Sequence, residues 1–277
     1  KTKIFQIGNS MATHELNQYS KAEIGNPMKK KTLLEWLSEG PFTLALSSSF
    51  FGFFAHCGIV DVLWSAGIRP GRITGASAGA LVGGALASGL EPAEIRQLLF
   101  SINKADFWDP HPGFGFLRGR KFISLLEQHF VPSFSQTKVP LSVAAFDLFS
   151  FQTKFLDEGS VPLSIVASCS VPVMFHPVKI GSRIYFDGGV FHKSGIHRLH
   201  PQERTLCVFL QNSGLADSYE WGQSLGNLGE NQKVLRFINL PKVHFNSLSL
   251  GPLAFAEAAK RARTALQSSI EDQILDA

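Results

Sequence analysis

Between two apolar runs lies Gly75-Ala76-Ser77-Ala78-Gly79, with Ile73-Thr74 before it and Ala80-Leu81-Val82 after it. The run before suits a short strand. Residues 80–88 suit a helix of small residues that Gly89 ends. A serine in this pattern sits at a sharp strand-to-helix turn, in strained dihedrals, with its hydroxyl held clear of the backbone. The neighbouring Gly75 and Gly79 let strand and helix approach without side-chain clashes. A helix N-terminus also favours developing negative charge. A turn of this kind requires a sheet with a helix packed on it, and it makes Ser77 a candidate nucleophile. Residues 73–90 carry no charge and are long enough to raise the question of a bilayer span. Their Gly, Ser and Ala content predicts buried core instead.

The flanking sequence fits an α/β reading. Residues 31–39 read as a short helix stopped by Gly40-Pro41, and residues 42–46 as a buried strand. A Ser/Phe/Gly loop over 47–54 leads to a helix over 55–66, and Pro92 opens another at a tolerated first-turn position. Residues 108–119 read as a loop, with a helix after Arg120. Strands are expected at 139–146, 153–156, 183–186 and 205–210, an exposed loop at 212–232, and a closing helix over 252–267. Strands and helices alternate through the first half, which argues for a parallel sheet. Residues 1–28 read as a loose extension and 29–277 as one domain.

The chain has 277 residues, 44% of them hydrophobic and 17% charged, so it can bury a substantial core. The net charge is +4, with local excess at Lys29-Lys30-Lys31 and at Arg118-Gly119-Arg120-Lys121. There is no broad basic stripe or recognisable module, so nucleic acid is not an expected partner. A weak attraction to anionic membrane surfaces fits. Cys57, Cys169 and Cys207 lie in apolar surroundings at no metal-ligand spacing, and read as free buried thiols. No metal site is expected. Residues 1–27 show no signal-peptide core, and a cytoplasmic or peripheral membrane location is the expectation.

A serine hydroxyl needs a partner to take its proton. A Ser-His-Asp arrangement would draw on His192, His197, His200 or His244. In the ordinary α/β-hydrolase order, however, several strands precede the nucleophile, and here only one strand–helix unit does. The alternative is a carboxylate acting directly. In Tyr185-Phe186-Asp187-Gly188-Gly189, Asp187 ends a strand and enters a Gly-Gly turn. It can project from the sheet edge there, while Gly188 and Gly189 leave room for a neighbouring loop. An Asp-Gly hairpin turn is the plainer reading of the same residues.

Taken together, these residues resemble the patatin-like phospholipase family. The resemblance rests on Ser77 in G-A-S-A-G and Asp187 in D-G-G. It extends to Ala55-His56-Cys57-Gly58-Ile59, to Ala145-Phe146-Asp147, and to residues 167–177, which lead to the aspartate. It implies a three-layer α/β/α fold with a central, mostly parallel sheet. It implies hydrolysis of lipid acyl esters, with Ser77 as nucleophile and Asp187 as base, and no metal or organic cofactor. Histidine would then have no catalytic duty.

One segment departs from the family pattern. Where the family has G-G-G-x-R/K-G, whose backbone N–H groups form the oxyanion hole, this chain has Ser48-Ser49-Phe50-Phe51-Gly52-Phe53. The resemblance therefore assigns the oxyanion donors to the backbone of Ser48, Ser49 and Phe50, with Gly52 able to take over if the register shifts. Positive φ does not suit Phe. The same loop is rich in Phe, as is the loop holding Phe114 and Phe116, which suggests an acyl-chain channel or a rim that meets lipid.

Overall fold

Strand β1 (Thr43–Leu46) is buried at every position, and its neighbours on both flanks run parallel to it. The computed structural model describes residues 30–189, 199–211 and 228–277. Within these, nine strands form one sheet in the order β11-β10-β9-β1-β2-β4-β8-β7, with β5 also paired to β4. The strands are β2 (Arg72–Ala76), β4 (Leu141–Asp147), β5 (Gln152–Leu156), β7 (Val178–Ile180), β8 (Arg183–Asp187), β9 (Thr205–Gln211), β10 (Gln232–Ile238) and β11 (Ile274–Asp276). Pairings from β11 across to β4 are parallel; β5, β8 and β7 join antiparallel. The α/β fold with a mostly parallel sheet follows the sequence expectation. A separate ribbon pairs β3 (Gly115–Leu117) with β6 (Val173–Phe175).

Local signals place the helices. Thr32 and Glu35 form a reciprocal capping box at the start of α1 (Leu33–Ser38). The second helix, α2 (Phe53–Ser65), starts two residues earlier than expected, because Gly52 serves as its N-cap. Then come α3 (Ala78–Ser88), α4 (Pro92–Ser101), α5 (Arg120–His129), α6 (Val161–Ser168) and α7 (Gly251–Leu266). Helix α3 is buried throughout, and no helix among the described residues is long and apolar enough to cross a membrane. Helices α2 and α7 pack closely: a Cβ at Gly58 would collide with the Phe255 carbonyl.

The central strands are apolar on both faces. Leu44, Leu46, Leu206 and Val208 belong to the main core, while Ala45, Cys207, Phe209 and Val234 form a smaller cluster. Period-2 alternation explains the division. Six elements differ from the sequence reading. The presumed loop over 108–119 contains β3. Residue 232, placed in a loop, begins β10; residues 212–227 lie outside the described residues. Helix α6 and strands β6, β7 and β11 were not expected from local pattern. The expected extension over 1–28 also lies outside the described residues.

Candidate active site

Two strands meet end to end along one flank of β4. Strand β2 runs parallel to β4 and ends with Ala76 opposite Ala144. Strand β8 runs antiparallel and ends with Asp187 opposite Ala145. Strand β5 occupies the other flank of both alanines, through Phe155 and Lys154. The C-terminal ends of β2 and β8 therefore converge on adjacent residues of one strand. Ser77 follows the first and Asp187 ends the second.

Ser77 holds φ +50° and ψ −118° immediately before α3. Such dihedrals cost about 1–3 kcal/mol and persist only where the surroundings over-determine them. Two features do so here. A Cβ at Gly79 would collide with the Leu46 carbonyl, and one at Gly75 would lie 2.6 Å from the Gly79 carbonyl oxygen. These two glycines allow α3 to sit directly against β1 and β2. Ser168 supplies the second feature: its hydroxyl accepts the Ser77 N–H at 2.8 Å and donates to the Ala144 carbonyl at 2.6 Å.

The segment after α6 also holds the aspartate. The Asp187 N–H donates to the Ser170 carbonyl at 2.9 Å, and the Gly188 N–H to the Ser168 carbonyl at 3.3 Å. Gly188 lies so close to the Ala144 carbonyl that a Cβ would overlap it. Burial pushes the Asp187 carboxyl up to about 6. Hydrogen bonds from the Ser77 hydroxyl and the Gly189 N–H pull the other way, the latter at 2.7 Å. Asp187 is thus a carboxylate whose basicity suits work near neutral pH. Neither Ser168 nor Ser170 stands out in the sequence; both lie in the segment that carried only a general resemblance.

The loop after β1 begins from a tightly held residue. The Ser47 N–H donates to Val208, its hydroxyl accepts the Leu210 N–H, and its carbonyl accepts the His56 Nε2 proton at 2.8 Å. His56 is fully buried, and desolvation lowers its pKa to about 4, so it is a neutral brace for the loop. The Gly52 N–H donates to the Ser49 carbonyl at 2.9 Å and is not free to serve an oxyanion. This corrects the expectation that Gly52 could take over. The N–H groups of Ser48, Ser49 and Phe50 have no acceptor among the described residues. Positive φ falls on Phe51, at +54°, while Phe53 lies inside α2. The Ser48 hydroxyl packs onto Gly189, where any side chain would overlap it.

Ser77 opens into a cavity whose walls include Phe50, Phe51, Phe107, Met174, Phe175 and Phe245. Its lining is almost wholly apolar, so it suits a hydrocarbon chain. Cys169 also lines it; burial and the nearby Asp187 carboxylate push its thiol well up, so it stays protonated. No histidine lines this cavity among the described residues. His244 stands behind Phe50, with ring centroids 6.5 Å apart, and the His200 Nδ1 accepts the Gln202 N–H. His192 and His197 lie outside the described residues. No cluster of His, Cys, Asp and Glu among the described residues could hold a metal ion.

A family model for patatin-like phospholipases matches residues 44–200, more than half of the chain. An uncharacterized NTE family protein of Mycobacterium bovis is 29% identical over 151 residues, which is 53% of this chain and 42% of that protein. An uncharacterized NTE family protein of Mycobacterium tuberculosis matches equally. The chain therefore spans less than half the length of the curated relatives it matches. Among solved structures, VipD from Legionella pneumophila shares the fold. Its TM-score is 0.60 at 11% sequence identity, covering 83% of this chain and 67% of that one.

Proposed function

Because the chain belongs to the patatin-like phospholipase family, we propose that it hydrolyses lipid acyl esters with Ser77 as nucleophile and Asp187 as base. The observation that carries this reading is the convergence of β2 and β8 on Ala144 and Ala145, which leaves the serine and the carboxylate at neighbouring levels of one strand. Asp187 takes the hydroxyl proton as Ser77 Oγ bonds to the ester carbonyl carbon. The carbonyl oxygen gains negative charge and is held by the N–H groups of Ser48, Ser49 and Phe50. The bond to the alcohol breaks, and the alcohol leaves with the proton from Asp187. Water then adds to the acyl-enzyme and gives a proton to Asp187; the bond between the acyl carbon and Ser77 Oγ breaks, Asp187 returns the proton to Oγ, and the fatty acid departs. No step calls on a metal or an organic cofactor.

The apolar cavity selects the acyl part of the substrate. The same reading treats residues 29–277 as one catalytic domain, since β9, β10 and β11 complete the sheet that carries Ser77. The test is labelling by a fluorophosphonate probe together with hydrolysis of a short-chain nitrophenyl ester. Wild type should label and turn over, and Ser77→Ala should do neither. Turnover surviving in Ser77→Ala rules the mechanism out. A folded wild type that takes no label on Ser77 would instead be a lipid-binding member of the fold.

A further inference from the structure

Large apolar side chains stand in solvent beyond the Ser77 cavity. In the turn between β4 and β5, Phe149 is 61% exposed and Phe151 is 74%. Phe114, before β3, is 87% exposed, and Val173, on β6, is 83%. Single exposed apolar residues are ordinary, but a group of them around a site marks an interaction surface.

The sheet explains why they share one end of the molecule. Beyond Ala145, which is level with Asp187, β4 runs two residues further to Asp147, roughly 7 Å higher. Its turn lies higher still. The Ser170 carbonyl meets the Asp187 N–H at the level of the site, whereas Val178 pairs with Tyr185, and Tyr185 with Asp147. Residues 171–177 therefore climb from the site to the outer edge, and they carry β6. Gly115 on β3 pairs with Val173. The β4–β5 turn and the β3–β6 ribbon thus stand at the same end, above Ser77. On β6, Val173 faces out while Met174 and Phe175 wall the cavity, so the exposed patch is continuous with the cavity lining. Phe151 and Val173 hold φ of +51° and +70°, conformations that strained functional positions adopt and a β-branched residue avoids.

Charge at this end is basic. Arg118, Arg120 and Lys121 are exposed just after β3, and Lys179 is exposed beside the β7–β8 turn. Among the described residues, two acids stand beside these four cations: Asp106, which accepts the Asn103 N–H, and Asp109, so positive charge stays in excess. The Asp109 carboxylate accepts the N–H groups of Gly119, Arg120 and Lys121. Asp147 is buried and paired with Arg183.

We propose that this end docks on an anionic phospholipid bilayer, with Phe114 and Phe116 on one side and Phe149 and Phe151 on the other entering the headgroup–acyl boundary. The inference rests on the lipid-ester reading of the Ser77 cavity and says where that lipid is met. Rings entering the boundary and basic side chains at the phosphates act together, and either alone binds weakly.

Flotation of the full chain with vesicles tests it. Wild type should bind phosphatidylcholine vesicles containing phosphatidylglycerol at least about tenfold more tightly than phosphatidylcholine alone. Replacing Phe149 and Phe151 together by Ser, or Phe114 and Phe116 together, should weaken binding by about tenfold or more per pair. Hydrolysis of a soluble nitrophenyl ester should not change, since none of the four lines the cavity; it also reports that each variant is folded. Wild type failing to float, floating equally with both vesicles, or both pair variants floating like wild type overturns the proposal. Ser77→Ala should float normally. A wild type that floats as expected yet neither labels nor turns over would sink the hydrolase reading and leave the docking surface standing.

Discussion

The Ser168 hydroxyl accepts the Ser77 N–H at 2.8 Å and passes a hydrogen bond of 2.6 Å to the Ala144 carbonyl. It ties a strained backbone to the strand on which β2 and β8 converge. Ser168→Ala leaves a buried donor and a buried acceptor unpaired, at about 1–3 kcal/mol each. The expected result is a lower melting temperature and a kcat at least about tenfold lower, with KM little changed. Ser168→Thr, which keeps the hydroxyl, should recover most of kcat. An alanine variant with wild-type kcat would remove Ser168 from this role.

If Asp187 is the base, as proposed, it should set the acid limb of activity. Burial holds its carboxyl up to about 6, and in the proposed mechanism only the ionised form can take the Ser77 proton. The rate kcat/KM on a soluble ester should be level above pH 6 and fall about tenfold per unit below it. Asp187→Asn should abolish turnover at every pH. A profile without an inflection between pH 5 and 7 would argue against Asp187 as the base.

The same shift has a cost in stability. A carboxyl raised to about 6 from its ordinary 3.8 destabilises the ionised folded protein by roughly 3 kcal/mol. The folded state binds the proton first as pH falls, so this penalty is full above pH 6 and is relieved between pH 6 and 4. Asp187→Asn should therefore melt higher than wild type at pH 8, with the difference shrinking towards pH 4. Equal melting temperatures at pH 8 would show that the carboxylate is better solvated than its burial implies.

Two glycines beside the site should behave differently when replaced by alanine. At Gly79 the new Cβ meets the Leu46 backbone carbonyl, which cannot move without shifting β1, so Gly79→Ala should fold poorly or not at all. At Gly189 it meets the Ser48 side chain. Gly189→Ala should fold and lose activity, and adding Ser48→Gly should restore part of it. Melting curves and ester turnover of the single and double variants check this, and a double variant no better than the single one refutes the pairing.

How far local pattern reaches is clearest where it stops. The elbow was legible at Ser77 because flanking glycines and apolar runs encode a strand-to-helix turn within a dozen residues. The strand carrying Asp187 was legible for the same reason, and so were most helix ends, which depend on capping residues and prolines close in the chain. Strand β3 was hidden in a Pro- and Gly-rich stretch, because its pairing with β6 comes from distant chain. The departure in the loop over residues 48–53 was visible, but its consequence was not. The Gly52 N–H is spent on the Ser49 carbonyl, and φ turns positive at Phe51.

The sequence by itself determined that Ser77 sits on a strained turn, that Asp187 ends a strand before two glycines, and that the fold is α/β with a parallel sheet. Each is a matter of backbone sterics and apolar periodicity over short spans. Only the tertiary structure decided that Ala76 and Asp187 stop at adjacent residues of β4, and that Ser168, not a histidine, braces the serine. It also decided that the β4–β5 turn and the β3–β6 ribbon stand at one end of the sheet. The reason is register. Which residue of one strand lies opposite which residue of another is set by packing of the whole sheet, and no local run of residues contains it.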